Sequence, residues 1–207
     1  MAARRASARW SFRFLSVRSG TEAVGQPVRH EHPRCERLEG QPQAMVKITP
    51  LQTRIDPMRC MGNWYVHRSI PTPLDSNVCN GLEQYTWNEA KQRVEVQYTY
   101  NSGALDGPQS TVFQHGWVTD KELGTTWGVS PKIGPFFVPF KLPYYILDVD
   151  MKEYSYIVCA GTPGPWAYVM TRTPKPPAED EVKAWLGLLE QAGLDVSRVE
   201  TVQHTQQ

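Results

Sequence analysis

The sequence predicts an all-β fold, an eight-stranded antiparallel up-and-down barrel with one C-terminal α-helix packed outside. Three observations predict it. Turn signals recur at short, fairly regular intervals, in SNVCNG, NEAKQ, NSGALDGPQ, TDKELG, DMKE and GTPGP. Between them lie eight runs rich in β-branched and aromatic residues, at 63–70, 82–88, 93–100, 110–118, 122–129, 144–149, 154–160 and 165–172. A single amphipathic segment follows the eighth run, and no helical segment separates the others. Short strands joined in sequence fit a closed barrel or a sandwich, and closure alone removes exposed sheet edges. An eight-stranded barrel is about wide enough to hold one small ligand.

Taken in order, residues 1–44 read as a disordered basic tail or a targeting presequence. The first twenty carry five Arg, several Ser and Ala, and no acid before Glu22, with no apolar run of secretory-signal length. Translation starting at Met45 is the alternative. Residues 45–53 form a proline-punctuated, extended lead-in, and 54–203 are the barrel domain. The clearest strand is VEVQYTY, where Val94, Val96, Tyr98 and Tyr100 share one face and Glu95, Gln97 and Thr99 the other. In the helix, Val182, Trp185, Leu186 and Leu189 fall at i, i+3, i+4 and i+7, with acids in the first turn and Gly193 as a stop. LDVSRVETV could add a short edge strand, and 204–207 read as a frayed end.

Composition excludes several classes. Net charge is +1, but residues 1–44 hold eight Arg and four Glu, leaving 14 basic and 17 acidic residues from Met45 onward. A nucleic-acid binder needs a basic face, and the body has none, so no nucleic acid is expected as partner. No run approaches the ~18 apolar residues of a membrane-spanning helix. Four widely spaced cysteines, Cys35, Cys60, Cys79 and Cys159, read as mostly free thiols. The expected address is intracellular rather than secreted: cytoplasm with peripheral membrane contact, or an organelle if 1–44 are a transit peptide.

Gly62 and Trp64 open the first strand, where a broad ring can plug the closed end of a barrel while glycine lets the chain pass close beneath it. Arg172, at the end of the last strand, is the cation expected over that ring. With Gly62, Trp64 and Tyr65, the YYILDVDMKEYSYIV run (Asp148, Asp150, Tyr154, Tyr156), the Arg172–Thr173–Pro174 ending and the single late helix, the sequence resembles the lipocalins over about residues 54–203. NGLEQYTWNE and GLDVSRVETVQ are similar to the group of apolipoprotein D, bacterial lipocalins and plant temperature-induced lipocalins. The resemblance implies binding, transport or scavenging of a small hydrophobic ligand, such as a fatty acid, lysolipid, sterol or carotenoid-like molecule. Glycine and prolines at 161–165 depart from the charged turn usual in the family. Cys79 matches a family cysteine position without an evident partner.

The expected cavity residues are Val66, Glu83, Tyr85, Val96, Trp127, Tyr145 and Tyr156, aromatic walls with a carboxylate that shares Tyr85's face by alternation. Gly62, Trp64, Asp150, Tyr154 and Arg172 are expected to be structural. Catalytic candidates are few: Cys79 or Cys159 would need a base such as His67 or His115 brought close by folding, and Gly128–Val129–Ser130 lacks the second glycine of a nucleophile elbow. His30, His32 and Cys35 could ligate a metal only within the tail. We expect no cofactor and no metal, a binding protein rather than an enzyme, and a monomer or weak dimer. An enzyme of the same fold acting on such a ligand, by isomerase or by epoxide or peroxide chemistry, is the rival, and a collapsed interaction module is a third possibility.

SPKIGPFFVPFKLPYY raises a separate expectation. Prolines at 131, 135, 139 and 143 argue against regular sheet, yet Ile133, Phe136, Phe137, Val138, Phe140 and Leu142 are too apolar for a solvated loop. They read either as a lid over the cavity or, through residues 133–142 with Lys132 and Lys141 alongside, as a membrane-docking patch. The resemblance to the temperature-induced lipocalins implies peripheral membrane association, in a role tied to stress.

Overall fold

The computed structural model describes residues 47–72 and 75–205. The readings placed on residues 1–44, including the targeting segment and the His30, His32 and Cys35 ligands, lie outside the described residues. Ten strands form in chain order: β1 Gly62–Ile70, β2 Val78–Asn88, β3 Arg93–Ser102, β4 Gln109–Val118, β5 Thr126–Ile133, β6 Phe136–Phe137, β7 Leu142–Val149, β8 Tyr156–Gly161, β9 Trp166–Thr171 and β10 Glu200–Thr201. Each long strand pairs antiparallel with the next, β5 with β7, and β1 closes on β9 through Tyr65↔Thr171 and Ile70↔Ala167. The result is a closed eight-stranded antiparallel barrel with the helix α1, Glu179–Gln191, outside it.

Two cores divide the apolar residues. The inner one gathers Trp64, Val66, Tyr85, Val94, Tyr98, Trp127, Tyr144, Ile146 and Met170. The outer one lies between barrel wall and helix, where Val182, Trp185 and Leu189 bury against Ile70, Val158, Ala160, Ala167 and Val169. The lead-in joins both: Ile48 is buried in the outer core, and the Leu51 amide donates to the Ile146 carbonyl.

Several boundaries move from their expected places. The fifth strand runs over 126–133, not 122–129, because Asp120 caps the preceding turn: its Oδ1 accepts from the Glu122 and Leu123 amides at 3.0 and 3.1 Å. Pro131 is admitted near the end of that strand, where a missing N–H costs least, and its carbonyl accepts from the Val138 amide. The SNVCNG turn is instead the start of β2. A bulge between Cys79 and Leu82 absorbs its turn-forming residues, with Asn80 left-handed at φ 52° and its side chain donating to Asn101 and to the Leu105 carbonyl. The tail end is not frayed at His204 and Thr205. His204 Nε2 bonds the Val66 carbonyl at 2.8 Å, and the Thr205 amide donates to Asn80 Oδ1 at 2.7 Å, just beyond the edge strand β10.

Candidate ligand cavity

The closed end is built as the sequence suggests. Gly62 takes φ 98°, a conformation open to glycine. The Arg172 guanidinium lies 3.5 Å above the Trp64 ring centroid. Its three nitrogens are fixed by carbonyls, Nε on Tyr154 at 3.0 Å, Nη1 on Asn63 at 3.0 Å and Nη2 on Arg59 at 2.7 Å. The Trp64 indole N–H donates to the Cys60 carbonyl at 2.7 Å. Tyr154 and Asp150 belong to this end: the Tyr154 hydroxyl accepts from the Asp56 amide, and Asp150 accepts from Ser155 and the Lys152 amide in the turn before β8. Those donors hold the Asp150 carboxyl down at about 2, the Ser155 side chain contributing most.

Inside the barrel is a cavity of about 670 Å³, within the ~300–1,000 Å³ range of small-molecule sites. Trp127 and Tyr144 pair across β5 and β7 and form one layer with Tyr85, Trp166 and Tyr168. Ring centroids run in a chain: Tyr85 to Trp127 6.2 Å, Trp127 to Tyr144 5.7 Å, Tyr144 to Trp166 5.6 Å, Trp166 to Tyr168 5.3 Å and Tyr168 to Tyr98 6.1 Å. Val129 and Leu142 form the next layer toward the mouth, which Ile133, Val138, Phe140 and Pro163 rim.

Two carboxylates stand in this apolar hollow. Glu83, 2 % exposed, accepts from the Tyr85 hydroxyl, which is also 3.2 Å from the Tyr144 hydroxyl. Burial pushes the Glu83 carboxyl up to about 7, against the opposing effect of Tyr85 and with the help of the nearby Asp75 charge. Asp75, 3 % exposed, is carried in by the β1–β2 connection, and accepts from the Tyr168 hydroxyl and from the amide and hydroxyl of Thr72.

Of the seven expected cavity residues, Glu83, Tyr85, Val96 and Trp127 line the hollow. Tyr145 and Tyr156 do not. They face outward into the helix-side core, where the Tyr156 ring packs tilted against Trp185 with centroids 5.0 Å apart and its hydroxyl donates to Asp148. Alternation on β7 and β8 has no readable phase because helix α1 covers their outer face, so both faces are apolar. Val66 faces inward but is packed at 0 % exposure into the core without lining the cavity. Sequence reasoning missed Asp75, Tyr144, Trp166 and Tyr168. The spacing of Trp166, Tyr168 and Met170 on β9 is the signal that finds the last two.

The 161–165 departure lines the mouth. A side chain at Gly161 would meet the Trp166 ring at 2.3 Å, so glycine lets that indole lie against the strand, and Pro163, Gly164 and Pro165 rim the opening. The proline-rich segment divides by residue. β6 forms a short hairpin with β5, Phe137 stacks on His115 at 3.6 Å on the outer surface, Phe140 touches the cavity mouth, and Phe136 is 76 % exposed. Lys132 and Lys141 lie over the outer rings of Phe113 and Trp117 at 5.9 and 4.5 Å.

An apolar, aromatic-walled hollow with a few buried polar groups has the make-up of a small-molecule site. Cys60, Cys79 and Cys159 are free, and desolvation raises the Cys60 thiol to about 12 and the Cys159 thiol further, so neither buried sulfur is a thiolate at neutral pH. The two histidines named as candidate bases are engaged elsewhere, His67 with Thr171 and the Thr173 carbonyl, His115 with Glu95 at 3.0 Å. Among the described residues no His, Cys, Asp and Glu cluster is arranged to hold a metal.

Comparison with known proteins agrees with the architecture. Tobacco hornworm (Manduca sexta) insecticyanin superposes with a TM-score of 0.59 at 13% identity, over 77% of this chain and 86% of that one. Lobster apocrustacyanin A1 gives 0.55 at 15% identity, over 73% and 81%. The cockroach allergen Per a 4 gives 0.53 at 16% identity, over 77% and 94%. No curated protein sequence matches this chain significantly. The pattern that defines the lipocalin-like domain matches residues 55–204, the whole barrel with its helix and edge strand, and the chain belongs to that family.

Proposed function

We propose that this protein binds a small, largely apolar molecule in the barrel cavity and carries or sequesters it at a membrane surface inside the cell. The cavity supports the binding step: an ~670 Å³ hollow walled by aromatic and aliphatic side chains with a few buried polar groups. Apolar walls supply affinity at about 25 cal/mol per Å² removed from water, and the polar groups fix orientation. The membrane part rests on the mouth, where Ile133, Phe136 and Phe140 are 57, 76 and 61 % exposed beside Lys132 and Lys141. A ligand leaving the cavity there would enter a bilayer without crossing water.

The test is native mass spectrometry of gently purified protein beside titration with Nile red, a neutral dye that brightens in apolar surroundings. A retained lipid-sized mass or saturable dye binding, displaced by the extracted lipid, is the expected result. Neither retained mass nor dye binding would overturn the reading in favour of a filled core.

A further inference from the structure

Glu83 and Asp75 place two acids inside an apolar cavity, and an ionised carboxylate there is costly unless an opposite charge meets it. Among the described cavity-lining residues the one cation is Arg198, which is solvent-exposed. The acids therefore have tyrosine, threonine and backbone donors for partners. A second observation is independent of them. Tyr98 projects from the inward face of β3 into the same lining, is 2 % exposed, and its hydroxyl has no hydrogen-bond partner among the described residues. A third is the run of rings from Tyr85 through Trp127, Tyr144 and Trp166 to Tyr168 beside those acids. Aromatic faces carry negative quadrupole and attract cations, most strongly where water is excluded.

We propose that the cavity selects a ligand with a positively charged ammonium head and an apolar tail, the head seated among Glu83, Asp75 and the aromatic rings. The head's N–H groups donate to the carboxylates, and its charge supplies what the acids lack. The tail follows β5 outward past Val129 and Ile133 to the mouth. The same two acids repel a fatty-acid carboxylate, so anionic lipids of equal tail length are rejected. This inference rests on the binding reading above, and the two fail in different ways.

The experiment displaces Nile red from the full chain with dodecylamine, dodecanol and dodecanoate, each below its micelle concentration, at about pH 8 where the amine is protonated. Dodecylamine is expected to displace the dye at a concentration about tenfold below dodecanol and further below dodecanoate. In the double variant Glu83→Gln/Asp75→Asn, with each competitor scored against that variant's own Nile red affinity, the three competitors are expected to come within about threefold of one another. Dodecanoate or dodecanol matching the amine on the wild type, or an amine preference that survives in the double variant, overturns the inference and leaves the binding reading intact. Failure of Nile red itself to bind the wild type overturns both. Should the double variant not fold, the wild-type ranking of the three heads decides the matter alone.

Discussion

Glu83 titrates near 4.5 in an unfolded chain, and burial in the barrel raises that to about 7. A carboxyl whose folded value is raised contributes stability that is whole below about pH 4.5 and is lost as pH rises through about 7. Glu83→Gln keeps an oxygen to accept from Tyr85 and has no proton to lose. Its melting temperature is therefore expected to rise relative to wild type between about pH 5 and pH 8, by an amount on the order of 2–3 kcal/mol in stability. Equal shifts at both pH values in a thermal melt would refute the buried carboxyl. His67 works in the opposite sense: burial lowers it from 6.5 to about 4, so its contribution is whole above about pH 6.5 and lost as pH falls through about 4. At the floor, Trp64→Ala removes a fully buried ring and is expected to cost roughly 3–5 kcal/mol. Arg172→Lys should cost less than Trp64→Ala, yet remain destabilising, because an ammonium cannot serve three carbonyls and a ring face at once. Wild-type denaturation midpoints in both would show that this stack holds nothing.

Two elements set the cavity mouth. The turn between β8 and β9 depends on Gly161, whose missing side chain is the space the Trp166 ring occupies. Gly161→Val is expected to push the indole into the hollow and to press on the Pro143 carbonyl of β7, weakening Nile red binding by about tenfold or more and lowering the melting temperature, read by titration beside circular dichroism. Unchanged affinity would separate Trp166 from the ligand site. The β5–β6 hairpin and the stretch after it carry the membrane proposal. Phe136→Ser/Phe140→Ser is expected to abolish flotation with anionic liposomes, since two exposed rings and the neighbouring lysines supply the contact. Flotation that survives the change would leave this segment as a rim of the cavity only. The helix was legible element by element, because its apolar stripe faces one surface and its other face meets water. The strands beneath it were not, since a sheet covered on both sides has no polar face to mark its phase, and that is why Tyr145 and Tyr156 land outside while Tyr144 lands inside.

For the whole molecule, the inner and outer cores run, among the described residues, from Ile48 to Val202. Residues 1–44 are arginine-biased with few apolar residues, so a chain beginning at Met45 is expected to keep the melting temperature and dye affinity of the full chain, and a marked loss of either would make residues 1–44 part of the folded unit. The sequence by itself determined the barrel, its helix and its floor, because these follow from local signals: turn residues between strands, helical periodicity, and a glycine–tryptophan pair opening the first strand with an arginine just after the last barrel strand. Tertiary structure alone decided the contents of the cavity. Asp75 enters it from a connection that carries no periodic pattern, and it meets Tyr168 across 93 positions of sequence. The cluster of acids and rings comes from strands far apart in the chain, and only the closing of β1 onto β9 brings their inward faces around one space.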